Sequence, residues 1–429
     1  MPNQELIRQN KQFEKDVVEI APGIWMAIGF ALSNVFMIEG QLSVTLIDTT
    51  ESTAAAEEIL AAFRKITRKP IERIIYTHGH RDHICGTTVF APDETVPIYA
   101  SASFASDMLG IDANEIRPLE ALFWRSQAQF AMGLDPEVSQ SHGAGPATRP
   151  LEGLGAGFMP PNRFVTDRME LDLDGVRAEL VPAPGETEDH MVVWLPDHKL
   201  LFGADNWYHA FPNLYSPRGT AFRDYGKWVS SLALMEEFEA EILAPGHTLP
   251  VIGAENVREV LSSTRAAILH VMRATTDLMN KGASMDEIAT SVTLPPELAE
   301  KPWLKEFYGK VSWCARGFAQ GTLGWYDGNP TSLGFIAPHT RAERMADMAG
   351  GVAKLLAQAK ATDDLQWKLE LVDHLILLGQ PVEDMKIDAM EALAELEINA
   401  IARNNYLWEA ERLRQGRARD GKSHSGIAA

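Results

Sequence analysis

The sequence predicts an α/β protein in which an αββα sandwich is followed by an all-α domain. Two successive runs of short apolar segments, bounded by Gly and polar residues and accompanied by helical patterns, predict two strand-rich halves with helices outside them. After residue 256, apolar residues recur at helical spacing and strand patterns almost vanish. A chain of 429 residues exceeds one ordinary domain, so we expect a first domain over residues 1–300, a helical domain over 301–416 and a disordered tail over 417–429.

The first half is predicted to consist of short strands followed by a helix, which is capped by Ser52 or Thr53, and then by further strands. Residues 101–132 are predicted to be largely helical. Residues 133–163 are rich in Gly, Pro and Ser and predict a long loop, in which His142 is interpreted as a free loop histidine. The predicted elements are a polar arm at 1–16, strands at 24–28, 34–39, 44–47, 71–76 and 96–100, and a helix at 52–65.

The second half repeats the strand pattern and then becomes helical. Leu365, Leu369 and Val372 give one helical apolar face at spacings of three and four. The predicted strands lie at 169–173, 178–181, 191–195, 200–202 and 242–244, with a helix at 225–238. Further helices are predicted at 258–278, 285–291, 298–307, 313–322, 341–361, 363–379 and 382–414.

Charge and composition exclude several classes of partner. The chain carries 59 acidic and 39 basic residues, a formal charge of −20, which argues against nucleic acid and anionic membranes. An anionic small molecule stays open, because a local cation can override the global field. The two cysteines exclude a disulfide scaffold and a cysteine-rich zinc site. The N-terminus lacks the apolar segment of a secretory signal, and no apolar run reaches the length of a membrane span, so we expect a cytoplasmic location.

A cluster of potential metal ligands directly follows the strand predicted at 71–76. His78, His80, Asp82 and His83 have the spacing H-x-H-x-D-H. His78 and His80 stand two apart on an extended segment and share one face, while Asp82 and His83 follow around the turn. Imidazole and carboxylate groups that converge in this way are typical of zinc chemistry, and this cluster can serve two adjacent ions.

Three further ligand candidates follow later strands, each near a Gly or Pro turn that allows close backbone approach. Glu186 follows Pro184-Gly185, Asp205 follows Gly203-Ala204, and His247 follows Pro245-Gly246. A site with two metal ions needs about six or seven ligands, and these three complete that number. Separately, Arg218 lies on a Pro-Gly loop shortly after Asp205, and a planar guanidinium suits a tetrahedral oxyanion.

The order of these motifs resembles the metallo-β-lactamase superfamily. Glu186 stands where that superfamily usually has histidine, and the chain is similar to the alkylsulfatase branch, whose members hydrolyse alkyl sulfate esters such as dodecyl sulfate. The resemblance extends from about residue 20 to about residue 416. It is carried by Ala204-Asp205-Asn206, Asn213-Leu214-Tyr215-Ser216-Pro217-Arg218-Gly219, Leu294-Pro295-Pro296-Glu297-Leu298, Gly324-Trp325-Tyr326-Asp327-Gly328-Asn329-Pro330 and Ala400-Ile401-Ala402-Arg403-Asn404-Asn405-Tyr406-Leu407.

The resemblance implies a set of roles for these residues. Asn213 and Arg218 would contact the sulfate. Residues 1–300 would form a metallo-β-lactamase-like catalytic domain and residues 301–416 a helical dimerisation domain, giving a homodimer. The implied ligands are His78, His80 and Glu186 for one zinc ion and Asp82, His83 and His247 for the other, with Asp205 at the place of the bridging acid.

The chain departs from this family at four places. Asp205 stands where the family has glutamate, and Gly79 where it commonly has serine. A tyrosine that the family places beside the substrate has Met132-Gly133-Leu134 as its nearest match, without a phenol. The chain also ends without a counterpart of the family's C-terminal sterol-carrier-like domain. These departures bear on the substrate more than on the metal site.

The expected reaction is hydrolysis of a small anionic ester by a metal-bound hydroxide, with Asp82 and Asp205 orienting the water between two zinc ions. Iron or manganese could replace zinc. Three alternatives remain open at this point: a carboxylic ester or lactone hydrolase using the same site, a metal-binding protein without catalysis, and an iron-containing oxidoreductase.

Overall fold

The computed structural model describes residues 3–91, 93–109 and 118–416, which contain thirteen strands and sixteen α-helices. The strands are β1 (Asp16–Ala21), β2 (Ile24–Ile28), β3 (Val35–Glu39), β4 (Val44–Ile47), β5 (Ile71–Ile75), β6 (Ile98–Ser101), β7 (Arg163–Val165), β8 (Met169–Asp172), β9 (Arg177–Pro182), β10 (Met191–Leu195), β11 (Leu200–Ala204), β12 (Ile242–Pro245) and β13 (Val251–Ile252).

The helices are α1 (Gln4–Asn10), α2 (Thr53–Phe63), α3 (Arg81–Ile84), α4 (Thr87–Phe90), α5 (Leu119–Gln129), α6 (Pro136–Ser139), α7 (Tyr225–Glu237), α8 (Ala254–Asn280), α9 (Met285–Ser291), α10 (Pro296–Ala299), α11 (Val311–Leu323), α12 (Pro338–Ala349), α13 (Val352–Ala361), α14 (Leu365–Leu377), α15 (Glu383–Leu396) and α16 (Ala400–Arg414).

Two mixed sheets form the centre of the fold. The first has seven strands in the order β1 to β7, antiparallel from β1 to β4 and parallel from β4 to β7. The second has six strands in the order β13-β12-β11-β10-β9-β8. Only β11 and β12 are parallel neighbours there. The parallel pairs β4–β5 and β11–β12 therefore direct their carboxyl ends, and the loops that follow, to one edge of each sheet.

The main core lies between the two sheets and explains why their strands are apolar. Phe36 of β3 and Phe202 of β11 meet edge to face across it, with ring centroids 4.9 Å apart. Each sheet also buries its outer face: α2 covers the first sheet through Ile59 and Phe63. Helices α7 and α8 cover the second sheet. Because both sheets are covered on both faces, the predicted αββα sandwich is confirmed.

Side-chain caps fix the starts of several helices. Ser52 accepts a hydrogen bond from the amide of Ala55, so it is the cap of α2 that the sequence predicted. Ser284 and Glu287 form a reciprocal capping box at α9. Asp364 and Asn399 cap α14 and α16. These caps satisfy amide groups that would otherwise lack partners at helix ends.

The prediction for residues 101–132 was wrong in extent. Among its described residues, a 3-10 turn at Asp107–Leu109 and helix α5 are the helical parts. The backbone before that turn is fixed by a loop contact instead, because the carbonyl of Ala105 lies so close to Gly79 that a Cβ there would collide with it. A serine at position 79 would require the backbone at Ala105 to shift.

Two other local predictions also need correction. The polar N-terminal arm is helix α1 followed by a 3-10 turn and β1, and Leu6 is fully buried. His142 is buried rather than free, because α16 closes over the long loop: Asn404 donates hydrogen bonds to the carbonyls of Gln129 and Ser141, and its Nδ2 lies 3.5 Å from His142 Nδ1. The tail at 417–429 lies outside the described residues.

From α9 onward the described chain is mostly helical and contains no strand, as predicted. The helix predicted at 298–307 is wrong, because α10 ends at Ala299 and a 3-10 turn covers Pro302–Leu304, and the helices predicted at 341–361 and 382–414 are each divided in two. The helices α12 to α14 enclose a small core of their own, and α14 to α16 a second one. Within the described part of the chain, no helix combines the length and the apolar character needed to cross a membrane.

Candidate metal centre

All seven predicted ligand residues lie just beyond the carboxyl ends of strands. His78 and His80 follow β5, Glu186 follows β9, Asp205 follows β11 and His247 follows β12. Asp82 and His83 are carried by α3, which starts directly after His80. Because these strand ends belong to the facing edges of two packed sheets, residues more than a hundred positions apart meet in one pocket.

Three side chains form the first cluster. One ligand atom each from His78, His80 and Asp205 lies within 4.8 Å of the other two. His78 Nε2 is 2.9 Å from His80 Nδ1 and 3.7 Å from Asp205 Oδ2. Two imidazole nitrogens and one carboxylate oxygen converging at such distances match the donors and number that a divalent metal site uses, with a position left for a further ligand.

A second cluster of three lies beside the first. Ligand atoms of Asp82, His83 and His247 also lie within 4.8 Å of one another. His247 Nε2 is 3.4 Å from Asp82 Oδ2, and His83 Nε2 is 3.6 Å from the same oxygen. Asp205 reaches this cluster as well, 3.4 Å from His83 Nε2 and 3.2 Å from His247 Nε2. Asp205 therefore stands between the two clusters.

The two clusters can meet only because the backbone at Gly246 lies very close to Asp205 and His83. A Cβ at Gly246 would collide with Asp205 Oδ1 and lie 3.0 Å from His83 Cε1. Glycine before His247 is thus required by space, which accounts physically for the Pro-Gly-His motif.

The outward nitrogen of each ring in the second cluster has a fixed partner. His83 Nδ1 donates to Asp48 Oδ2 at 2.7 Å, and His247 Nδ1 donates to the carbonyl of Leu32 at 2.8 Å. These bonds leave the Nε2 lone pairs directed at the pocket and fix the orientation of both rings. Asp48 is itself held by the amide and hydroxyl of Thr77.

Replacing Asp48 with Asn is expected to lower metal affinity by about 10- to 100-fold, because the charged acceptor that orients His83 is lost. Chelator competition on the purified variant measures this. Asp373→Asn is a suitable control, since Asp373 pairs with Lys386 on the surface. Equal affinities for Asp48→Asn and the unaltered protein would show that Asp48 does not support the ligand.

Burial and nearby charges shift the histidine pKa values in opposite directions in the two clusters. Burial, then the charge of His83, holds the pKa of His78 well below its ordinary value. Burial, followed by the charges of Arg218 and Arg223, does the same for His80. Burial also acts on His247, but the charge of Asp205 and its hydrogen bond raise the pKa of His247 to about 10. The first two rings are therefore neutral, which is the ligand form, and the acid-rich second cluster attracts positive charge.

The unpartnered atoms of the pocket fit a metal ion. His83 Nε2, Asp205 Oδ1 and Glu186 Oε2 are buried and have no hydrogen-bond partner among the described residues. Buried polar atoms are almost always paired, so three such atoms facing one pocket are suited to a cationic partner. Imidazole and carboxylate donors suit zinc, and also iron or manganese.

Glu186 lies beside the first cluster but is turned toward an arginine. Its Oε1 is 3.8 Å from His80 Nδ1 and 2.8 Å from Arg223 Nη2. Burial, partly offset by the charge of Arg223, raises the pKa of Glu186 to about 7. Its backbone amide donates to Asn206 Oδ1, so the loop after β9 is tied to the loop after β11.

The loop at residues 213–218 adjoins this arginine. Both amide atoms of Asn213 are buried without a hydrogen-bond partner among the described residues. Gln129 of α5 holds the loop by accepting from the hydroxyl of Ser216 and the amide of Arg218. Arg218 lies near enough to lower the pKa of His80, and Asn213 is linked to Glu186 through Arg223.

A segment of the helical region also borders the pocket. Phe211 donates to the carbonyl of Lys305 at 2.8 Å, and Gly309 donates to the carbonyl of Phe211 at 2.9 Å. Between them lies Tyr308, whose ring meets that of Tyr208 edge to face. Burial and the charge of Glu186 raise the pKa of Tyr308, so its phenol is within electrostatic reach of the centre.

Comparison with known proteins agrees with this architecture. A family described as alkyl sulfatase dimerisation matches residues 284–416, and one described as the metallo-beta-lactamase superfamily matches residues 28–247, half of the chain. The chain belongs to the metallo-beta-lactamase superfamily. The resemblance stated from the motifs is therefore confirmed.

Relatives within the superfamily carry alkylsulfatase names. A linear primary-alkylsulfatase of Pseudomonas sp. (strain ATCC 19151) is 35% identical over 91% of this chain and 75% of its own length. An (R)-specific secondary-alkylsulfatase of Pseudomonas sp. is 31% identical, over 93% of this chain and 62% of its own length. The solved structure of the stereoselective inverting sec-alkylsulfatase Pisa1 from Pseudomonas sp. superposes with a TM-score of 0.84 at 29% identity, covering 96% of this chain and 67% of that one.

Sequence reasoning within the superfamily pattern missed three residues. Asp48 follows β4 and carried the signal of an acid at a strand end. Arg223 follows Arg218 by five positions and was hidden in the same polar loop. Tyr308 had no local signal, since its phenol reaches the pocket through contacts between segments about a hundred residues apart.

Proposed function

We propose that this chain is a hydrolase of sulfate esters that uses two zinc ions. The observation that carries the proposal is the pair of ligand clusters that share Asp205 and adjoin the loop of Asn213 and Arg218. Metal-ligating groups and anion-binding groups occur together there, which a site for an anionic ester requires. The names of the alkylsulfatase relatives supply the substrate class, an alkyl or other small organic alcohol esterified to sulfate.

In this proposal the clusters divide the metal ligands between them. His78, His80 and Glu186 hold one ion, Asp82, His83 and His247 hold the other, and Asp205 lies between the two. When bound, the ions supply a nucleophile at neutral pH and offset the charge of the transition state. Asp205 is one methylene shorter than glutamate, and its position between the clusters at 3.2–3.7 Å from three imidazoles supports a shared role.

The other residues bind and orient. Arg218 holds the sulfate oxygens through a planar pair of N–H groups, and Asn213 offers its unpartnered amide. The carboxylates of Asp82 and Asp205 accept hydrogen bonds from the attacking water and direct it at the ester. Arg218 stabilises the negative charge on the sulfate oxygens as the ester bond breaks.

A substrate panel tests the proposal. Short and long alkyl sulfates are compared with carboxylic esters and a lactone, and bound metal is measured on the same preparation. We expect turnover of sulfate esters with about two equivalents of zinc. Turnover of carboxylic esters or lactones alone would reassign the bond. Fewer than two equivalents, with no hydrolysis of any ester, would mean a metal-binding protein without this activity, and bound iron would point to redox chemistry.

We also propose that the chain forms a homodimer through its helical region, with the catalytic domain at residues 1–300 and the dimerisation domain at 301–416. Supporting it is a set of large apolar side chains exposed in one stretch of that region: Leu323, Trp325, Leu333, Phe335 and Met348. Sedimentation at micromolar concentration is expected to give about twice the chain mass of 47.4 kDa. A sedimenting species with the mass of one chain would contradict the proposed homodimer.

A further inference from the structure

Arg223 makes a buried charged contact at the candidate centre. Its side chain is 2% exposed, and its Nη2 lies 2.8 Å from Glu186 Oε1, which is itself 4% exposed. An arginine is charged at every pH at which proteins fold, and a buried charge is tolerated only with a partner. The pair is therefore a fixed part of the pocket.

The second arm of the guanidinium reaches a different loop. Arg223 Nη1 donates to the backbone carbonyl of Asn213. One rigid, planar group thus contacts Glu186 on the metal side and the start of the anion-binding loop on the other. A lysine has a single point of charge and cannot make both contacts with the same geometry.

The backbone on which Arg223 stands is held as well. The next residue, Asp224, caps α7 through the amide of Lys227. Trp228 of the same helix donates to the carbonyl of Asn206, and Asn206 accepts from the amide of Glu186. Both ends of the Arg223–Glu186 contact are consequently fixed relative to Asp205.

We propose that Arg223 is a positioning residue that holds Glu186 at the metal pocket and orders the loop of Asn213 for the substrate. The inference rests on the proposed function, since it takes Glu186 to be a ligand. With Oε1 held by Arg223, the unpartnered Oε2 is the oxygen left for the cation at His78 and His80. Arg223 acts through Glu186 and Asn213 and is not itself placed on the metal.

Zinc affinity tests this with five proteins: the unaltered chain, Arg223→Gln, Arg223→Lys, Glu186→Gln and the Arg223→Gln/Glu186→Gln double variant. Competition with a chromophoric zinc chelator gives the affinity and stoichiometry without any substrate. We expect Arg223→Gln to weaken one of two zinc equivalents by about 10- to 100-fold, and Arg223→Lys to weaken it nearly as much. In the Glu186→Gln background, removal of Arg223 is expected to add almost nothing, because residues acting as one unit are not additive.

Controls separate positioning from folding. Arg265→Ala removes another Arg–Glu pair, with Glu236 at 2.6 Å, remote from the pocket, and should leave zinc affinity unchanged. Thermal unfolding of each metal-free variant shows whether it is folded, and Arg223→Lys provides a second variant that keeps the buried charge.

Three results would overturn the inference. They are an unchanged zinc affinity in both folded Arg223 variants, a Glu186→Gln protein that binds zinc as the unaltered chain does, or a loss from Arg223→Gln that is equally large with and without Glu186. Sulfate ester turnover by the unaltered chain is measured separately, so failure of the proposed function is distinguishable from failure of this inference.

Discussion

Replacement of Asp205 with Asn is expected to lower zinc affinity by more than about 100-fold and to reduce hydrolysis correspondingly. The carboxylate lies 3.7 Å from His78 Nε2, 3.4 Å from His83 Nε2 and 3.2 Å from His247 Nε2, so it approaches residues of both clusters. Asparagine has nearly the same shape but no charge to offset a cation. Loss of this one carboxylate should therefore weaken the binding of both ions.

The measurement is metal content after gel filtration in buffer without added metal, with turnover determined on the same sample. Asp197→Asn serves as the control, because Asp197 pairs with Arg177 on the surface. This variant should retain its full metal content. If Asp205→Asn still bound two equivalents of zinc firmly, Asp205 would not be a ligand shared by the two ions.

Replacement of Arg218 with Ala is expected to reduce kcat/KM for a sulfate ester by about 10²- to 10³-fold while zinc content stays unchanged. The guanidinium adjoins His80 without belonging to either ligand cluster, so substrate binding and charge stabilisation are lost selectively. Steady-state kinetics on one alkyl sulfate measures the effect.

Arg177→Ala, a surface variant, is the matched control. If Arg218→Ala turned over the sulfate ester at the rate of the unaltered chain while His78→Ala did not, the metal site would be needed but the sulfate assignment would be wrong.

The parts of this site that could be predicted from the sequence are those coded locally. His78, His80, Asp82 and His83 are close along the chain, and strand alternation with a following turn is enough to direct them to one pocket. The later ligand candidates were predicted because Gly or Pro turns after strands mark places where backbone approaches closely, and Gly246 against Asp205 shows that requirement directly.

The sequence could not predict contacts between side chains that are distant in the chain and meet only in the folded structure. Glu186 was interpreted as a ligand from its position, but nothing local indicates that Arg223 lies 2.8 Å from it. The burial of His142 depends on Asn404, more than two hundred residues away, closing over its loop. Propensity describes a segment, whereas these contacts depend on tertiary packing of segments that are remote in the chain.

The segment at residues 305–309 limits how the two regions of this chain can be recombined in evolution. It falls within the region matched by the dimerisation family, yet its backbone bonds to Phe211, two residues before Asn213. On its other side, Asn399 donates to the carbonyls of Glu306 and Tyr308 and also caps α16. A recombination event that exchanged the helical region for an unrelated one would therefore remove a wall of the pocket. The two regions are constrained to evolve as one unit, although two separate families describe them.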